Sequence, residues 1–327
     1  MTSRDIEKPP RMDPDVVREL ARMRGDGPRP EPPGRGDVLT RRLNARWTAE
    51  HAMVLRPSDA GIDIQAHSLV TDDGAALRLV WYRCAGAEQP GSAVLYLHGG
   101  GMIYDLGVLG KLYDSAVRTY VAQSGVPMLL VDYRVAPEHR YPVPLEDSYA
   151  ALLWLVAQDG ELGVDPARIA VMGDSAGGGL AVALCLLSRD RGGPPIAQQL
   201  LLSPMLDDRM GVVDPGLSPF LTWSYDDNAT AWAAFLGDLP GGAEVPAYAA
   251  PARAAELRGL PPAYIDVGEL DIFCAENVAY ADRLEQAGIP VELCVYPGCP
   301  HSFEWLAPGA GVSRRAVAGR VRRLRSL

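Results

Sequence analysis

A serine held in a tight turn between a strand and a helix can act as a nucleophile in acyl transfer, and Gly173-Asp174-Ser175-Ala176-Gly177 is placed for that chemistry. The pentapeptide is a G-x-S-x-G pattern that follows the apolar run RIAVM and precedes AGGGLAVALCLLSRD, a predicted helix. On its own the pattern is a frequent chance match, and its setting makes Ser175 a candidate. In such a turn the flanking glycines remove side chains that would clash, and the hydroxyl projects above the sheet. The helix N-terminus beneath it offers unpaired N–H groups and a dipole to the negative charge that a tetrahedral intermediate develops.

A neutral hydroxyl is a poor nucleophile and needs a base beside it. On parallel α/β sheets with such an elbow, the chain order is serine, then acid, then histidine. His51, His67, His98 and His139 all precede Ser175, and His301 alone follows it, in the loop PGCPHSF after the last predicted strand. A lone loop histidine is ordinarily a surface residue, but order and location select His301 as the general base. The acid should leave the strand AYIDVGE, where Asp266, Glu269 and Asp271 are candidates. Asp271 is preferred because it lies in the turn ahead of FCAENVAYADRL, where it can reach a neighbouring loop and hold the imidazole tautomer. The lesser alternative is that Asp271 only caps the following helix. A second signal is His98-Gly99-Gly100-Gly101, directly after the predicted strand AVLYL. Three successive glycines cost backbone entropy, so a structured site must use them. The N–H groups of Gly99, Gly100 and Gly101, joined by that of Ala176, are the candidate oxyanion hole, with His98 pinning the loop.

Short β-rich runs at IQAHSLV and ALRLVWYRC, with Asp73-Gly74 between them, predict a hairpin. Strands and helices then alternate through PMLLVDY, LEDSYAALLWLVAQ, RIAVMG, AGGGLAVALCLLSRD and QQLLLSP, which implies βαβ crossovers and a parallel sheet. The rhythm stops between Asp207 and Ala255, a segment too long for a plain connection. Its aromatics, Phe220, Trp223, Tyr225, Trp232 and Phe235, suit a helical cap, where they would line an apolar pocket or pack a core. Residues 1 to about 38 are rich in Pro, Gly and Arg and read as a mobile arm with one helical island at VVRELARM, capped by Asp13 with Pro14 in its first turn. In the final helix, from about Ser313, Val317, Val321 and Leu324 recur at helical spacing. Arg314, Arg315, Arg320, Arg322, Arg323 and Arg325 read as its solvated face. The expected division is 1–55 for the arm and cap helices, 56–206 with 256–327 for the catalytic domain, and 207–255 for the cap insertion.

The 327 residues carry 31 basic and 41 acidic side chains, a net charge of −10, so nucleic acid and anionic lipid surfaces are unfavourable partners. Five cysteines without C-x-x-C spacing indicate neither a disulfide framework nor a zinc site. No run of about 18 apolar residues predicts a membrane span, and residues 1–14 lack a signal-peptide core, so the expected location is cytoplasmic.

HGGG at 98–101, GDSAGG at 173–178, DYRVAPEHRYP at 132–142 and ELDIFCAEN at 269–277 together resemble the hormone-sensitive lipase family, or family IV bacterial esterases, of the α/β-hydrolases. The resemblance spans roughly residues 60 to 310. It implies an eight-stranded, mostly parallel sheet flanked by helices, and a cap formed jointly by the N-terminal region and the 207–255 insertion. It also implies hydrolysis of small, short- to medium-chain carboxylic esters without metal or cofactor. Ser175, Asp271 and His301 match the family's catalytic positions, Gly99, Gly100 and Gly101 its oxyanion loop, and Tyr133 to Glu138 a structural motif. Members commonly form dimers, which makes a homodimer an expectation. Met102 stands where an aromatic is common, Ser302 where glycine is usual and Ile272 where proline is usual. Two rivals use the same fold: an amide hydrolase acting on an N-acetylated metabolite, and a non-catalytic ligand receptor. Some receptors in the wider family have lost the histidine that His301 matches.

Overall fold

The computed structural model describes residues 11–24, 31–51, 61–87, 91–209, 211 and 213–327. Its core is an eight-stranded sheet in the order β1-β2-β4-β3-β5-β6-β7-β8. The strands are β1 (Ile62–Val70), β2 (Ala76–Cys84), β3 (Gly91–Leu97), β4 (Met128–Asp132), β5 (Val164–Asp174), β6 (Gln198–Leu202), β7 (Ala263–Gly268) and β8 (Val291–Tyr296). The first two form the expected antiparallel hairpin, and β2 also runs antiparallel to β4. Every other pairing is parallel.

Strands buried on both faces need apolar residues at successive positions, and the sequence supplies them. On β3, Ala93, Leu95 and Leu97 pack into one core while Val94 and Tyr96 pack into the other. The first core holds α4 (Val143–Ala157), α6 (Ala176–Arg191) and α8 (Cys274–Gln286). The second holds α3 (Leu106–Ser124) and α10 (Gly311–Leu324). After β3 the chain crosses to β4, then returns past β3 to β5, so the connections reverse direction there. Open α/β sheets bind ligands at such a switch point, beyond the C-terminal ends of the strands. Both the HGGG loop, after β3, and the Ser175 turn, after β5, lie at this point.

Four further helices frame that end: α1 (Pro14–Arg24), α2 (Val38–His51), α7 (Tyr225–Leu236) and the single turn α9 (Phe303–Leu306), while the single turn α5 (Asp159–Leu162) precedes β5 at the opposite end of the sheet. The 207–255 segment is less helical than expected: α7 is its only α-helix among the described residues, accompanied by two 3-10 turns. A capping box opens α7, in which Ser224 and Asp227 exchange side-chain and backbone bonds. Arg41 of α2 donates from Nε to Asp227 Oδ1 at 2.9 Å, joining the N-terminal region to this segment.

Two further sequence expectations change. The helical island of the arm is packed: Val16 of α1 is fully buried with Cys299 and Phe303, and Asp13 N–H donates to Gly298 O at 2.8 Å. Residues 1–10 and 25–30 of the expected mobile arm and the boundary at 55/56 lie outside the described residues. In α10, Arg320 is 1% exposed. It donates to Asp266 at 2.7 and 2.9 Å and to Glu304 at 2.6 Å. Isolated burial of a guanidinium is prohibitive, and these two carboxylates with Tyr120 Oη provide the compensation. The other arginines behave as a surface face, Arg322 and Arg323 pairing with Glu292. No helix among the described residues is long and apolar enough to cross a membrane, and all five cysteines are unpaired.

Candidate active site

The chain reverses sharply at Ser175, where φ is 54° and ψ is −120°. A non-glycine residue pays about 1–3 kcal/mol for such a conformation, so neighbouring contacts must impose it. They do. Ser175 N–H donates to Leu202 O at 2.8 Å, while its carbonyl accepts from Gly179 and Met205 at 3.1 and 2.9 Å. The glycine after the elbow is required by proximity, since a Cβ on Gly177 would lie 2.1 Å from Leu97 O and 2.4 Å from His98 O. Helix α6 can therefore start directly against the end of β3.

His301 and Asp271 meet Ser175 from two other loops. His301 Nε2 lies 3.1 Å from Ser175 Oγ, and Nδ1 lies 2.6 Å from Asp271 Oδ2. All three side chains are buried. The imidazole also meets the edge of the Phe273 ring at a centroid distance of 5.2 Å. Burial disfavours its charged form, but the charge and hydrogen bond of Asp271, with Glu304 and Asp174 further off, overcome this and raise its pKa above the ordinary value. Asp271 serves the capping reading as well: its Oδ1 accepts from Phe273 N–H at 3.0 Å ahead of α8, leaving Oδ2 for the histidine. Asp266 is occupied by Arg320 instead, and Glu269 accepts from Gly298 N–H at 2.7 Å.

In the HGGG loop, His98 stacks on Tyr133 at 4.1 Å and 7°. Burial lowers its pKa to about 4, so its ring is neutral at pH 7. Tyr133 Oη in turn donates to His98 O at 2.6 Å. The three glycines differ. Gly99 N–H is committed, donating to Tyr113 Oη at 2.6 Å, which removes it from the expected set of oxyanion donors. The N–H groups of Gly100, Gly101 and Ala176 have no acceptor among the described residues. Gly101, at φ 61°, tolerates no Cβ, which would lie 2.5 Å from Trp223 Cη2.

A cavity of about 320 Å³ opens onto this cluster. Ser175, His301, Gly100 and Gly101 line its floor, while α2 contributes Asn44 and Thr48. Trp223 of the 207–255 segment lines it too, whereas Trp232 and Phe235 are buried in the core. The aromatic residues of that segment thus divide between pocket and packing.

The family described as alpha/beta hydrolase fold matches residues 94–305, about two thirds of the chain. The chain belongs to the hormone-sensitive lipase family of α/β-hydrolases. Carboxylesterase NlhH of Mycobacterium tuberculosis is 38% identical over 230 residues, covering 69% of this chain and 70% of that protein. An ethyl acetate hydrolase of Pseudomonas putida is 34% identical over 265 residues, covering 77% and 79%. Among solved structures, a bacterial heroin esterase superposes with a TM-score of 0.84 at 33% identity, covering 96% of this chain and 97% of that one. The chain is accordingly an enzyme of the hydrolase class.

Membership gives the departures from the family pattern a structural reading. Ser302 has φ 55°, a left-handed conformation that explains the usual glycine and that serine adopts at some cost. Met102 also has a positive φ, 62°, and its side chain is buried in the core, while Tyr104 lines the pocket. Sequence reasoning missed several supports. Thr222 Oγ1 donates to His301 O at 2.6 Å, and Tyr96 and Tyr113 both donate to Asp174, at 3.2 and 2.6 Å. Tyr113 carried no signal, since a tyrosine on the apolar face of a helix is ordinary. Arg320 did carry one, because it falls at i+3 from Val317 and i−4 from Leu324 on the apolar stripe of α10.

Proposed function

We propose that this hydrolase cleaves small carboxylic esters through an acyl-enzyme on Ser175, with His301 as general base and Asp271 orienting it. The supporting observation is the continuous line from Asp271 Oδ2 through His301 to Ser175 Oγ, beside three N–H groups without acceptors among the described residues. His301 takes the Ser175 proton as Oγ attacks the carbonyl carbon, and the N–H groups of Gly100, Gly101 and Ala176 receive the oxyanion. Collapse expels the alcohol, which takes its proton from His301. Water, activated by the same imidazole, then releases the acid. Asp271 keeps Nδ1 protonated, so that Nε2 carries the lone pair that accepts the proton.

A 320 Å³ cavity is at the small end of ligand pockets and favours short acyl groups. The relatives named as carboxylesterase and ethyl acetate hydrolase agree with that substrate class. On this reading α2 and the 207–255 segment together act as the cap over the pocket. Five unpaired cysteines suit a reducing, cytoplasmic compartment. Assays with p-nitrophenyl esters from acetate to laurate, each beside its matched anilide, test the reading. Turnover is expected to fall from butyrate to laurate, with the anilides much slower. Anilides cleaved as fast as esters would make it an amidase, and failure of a phosphonate to label Ser175 would exclude the acyl-enzyme on that residue.

The general base sets the pH dependence. Only neutral His301 can accept the serine proton, and its raised pKa keeps the charged form to higher pH. The acid limb of kcat/KM is therefore expected to inflect above about 6.5, the value of an unperturbed histidine. A kcat/KM profile from pH 5 to 9 measures this, and an inflection below that value would contradict the assignment.

A further inference from the structure

We propose that Tyr113 is a positioning residue whose hydroxyl locks the oxyanion loop to the nucleophile elbow. This rests on the esterase reading and extends it to a residue that touches no reacting atom. Tyr113 Oη donates to Asp174 Oδ2 at 2.6 Å and accepts from Gly99 N–H at 2.6 Å. Asp174 is bonded directly to Ser175, and Gly99 directly to Gly100. One hydroxyl thus bridges the two segments whose relative position defines the oxyanion site. The residues span the fold, with Tyr113 on α3, Asp174 at the end of β5 and Gly99 beyond β3.

The surroundings leave the bridge little freedom. Asp174 Oδ1 accepts from Tyr96 Oη at 3.2 Å, so both carboxylate oxygens are held by tyrosines. A Cβ on Gly99 would lie 2.6 Å from Asp174 Oδ2, so the loop and the carboxylate are already in contact. Past the bridge, the Gly100 carbonyl accepts from Ile103 and Tyr104 N–H at 3.0 Å each. The loop is therefore pinned on both sides of the Gly100 N–H, a proposed oxyanion donor. Tyr113, Tyr96 and Asp174 are all buried. A hydroxyl that only filled the core would not need both an acceptor on the elbow and a donor on the loop. Removing it leaves the Gly99 N–H and one Asp174 oxygen without their partner and lets the loop drift from the carbonyl oxygen it should meet.

The test compares parent, Tyr113→Phe, Asp174→Asn and the double variant, using p-nitrophenyl acetate and a trifluoromethyl ketone that forms a tetrahedral adduct on the serine. Tyr113→Phe is expected to lower kcat about 10- to 100-fold, the scale of a misplaced donor, with KM within about twofold. Affinity for the ketone is expected to fall by the same factor as kcat, while the inflection assigned to His301 stays in place. Asp174→Asn keeps an acceptor for the Tyr113 hydroxyl and is expected to lose less. The double variant is expected to be no worse than Tyr113→Phe, because both changes act on one bridge, which Asp174→Asn weakens and Tyr113→Phe removes. A Tyr113→Phe enzyme with parental kcat, or a loss not mirrored in ketone affinity, would overturn the proposal. Should circular dichroism show Tyr113→Phe unfolded, Asp174→Asn carries the comparison with a smaller expected loss of kcat, again matched in ketone affinity, and a parental kcat there would overturn the proposal. Failure of the esterase reading would be distinct, because turnover would then survive Ser175→Ala.

Discussion

Ser175→Ala is expected to reduce kcat for p-nitrophenyl acetate by about 10⁴- to 10⁶-fold while leaving the protein folded. The size follows from removal of the group that forms the covalent bond; the oxyanion donors and the pocket remain and account for the residual rate. Stability is expected to change little, because among the described residues Ser175 Oγ bonds only His301, while the elbow is held by backbone bonds to Leu202, Gly179 and Met205. The backbone supplies an internal comparison. Alanine inherits the positive φ of 54°, whereas glycine relieves it, so Ser175→Gly is expected to unfold at or above the temperature of Ser175→Ala. Turnover by Ser175→Ala within tenfold of the parent would remove Ser175 from the mechanism. Steady-state kinetics and thermal melts on the three proteins are sufficient.

Asp271→Asn and Asp266→Asn are expected to fail in different ways, although both replace a buried aspartate from the same strand and turn. Asp271 Oδ2 holds His301 Nδ1 at 2.6 Å, and an asparagine there can present its amide N–H to Nδ1 and favour the wrong tautomer. The expected loss in kcat is about 10³- to 10⁴-fold with a modest change in melting temperature. Asp266 instead neutralises Arg320, which also meets Glu304, while the imidazole bonds Asp271 and Ser175. Breaking a buried pair costs up to about 3–5 kcal/mol, and Glu304 offsets part of it. Asp266→Asn is therefore expected to lower the melting temperature by several degrees while kcat, measured well below the transition, stays within a few-fold. A larger kcat loss at Asp266 would reverse the assignment.

These expectations show where sequence was informative. The Ser175 turn was legible because a strand run, two glycines and a helical run lie side by side, and each is a local signal. His301 followed from chain order. The choice among Asp266, Glu269 and Asp271 was weaker, because sequence shows that all three leave one strand but not where their carboxylates point. The structure gives Asp271 a partner for each reading, with one oxygen on the Phe273 N–H and the other on the histidine. The N-terminal region misled for a similar reason. Its Pro, Gly and Arg content suggested mobility, while the burial of Val16 against Phe303 depends on a partner almost three hundred residues away.

By itself the sequence determined the α/β class, the hairpin, the elbow, the glycine loop and the order of the chemical groups. Each of these rests on periodicity or on spacing between near neighbours, which the covalent chain expresses directly. Tertiary structure alone decided that Ser175 and His301, separated by 126 positions, come within 3.1 Å. It also decided that Gly99 gives its N–H to Tyr113, and that one arginine of an apparently solvated face is buried against Asp266. Those contacts depend on strand order and helix packing, which set distances between residues that no local pattern links.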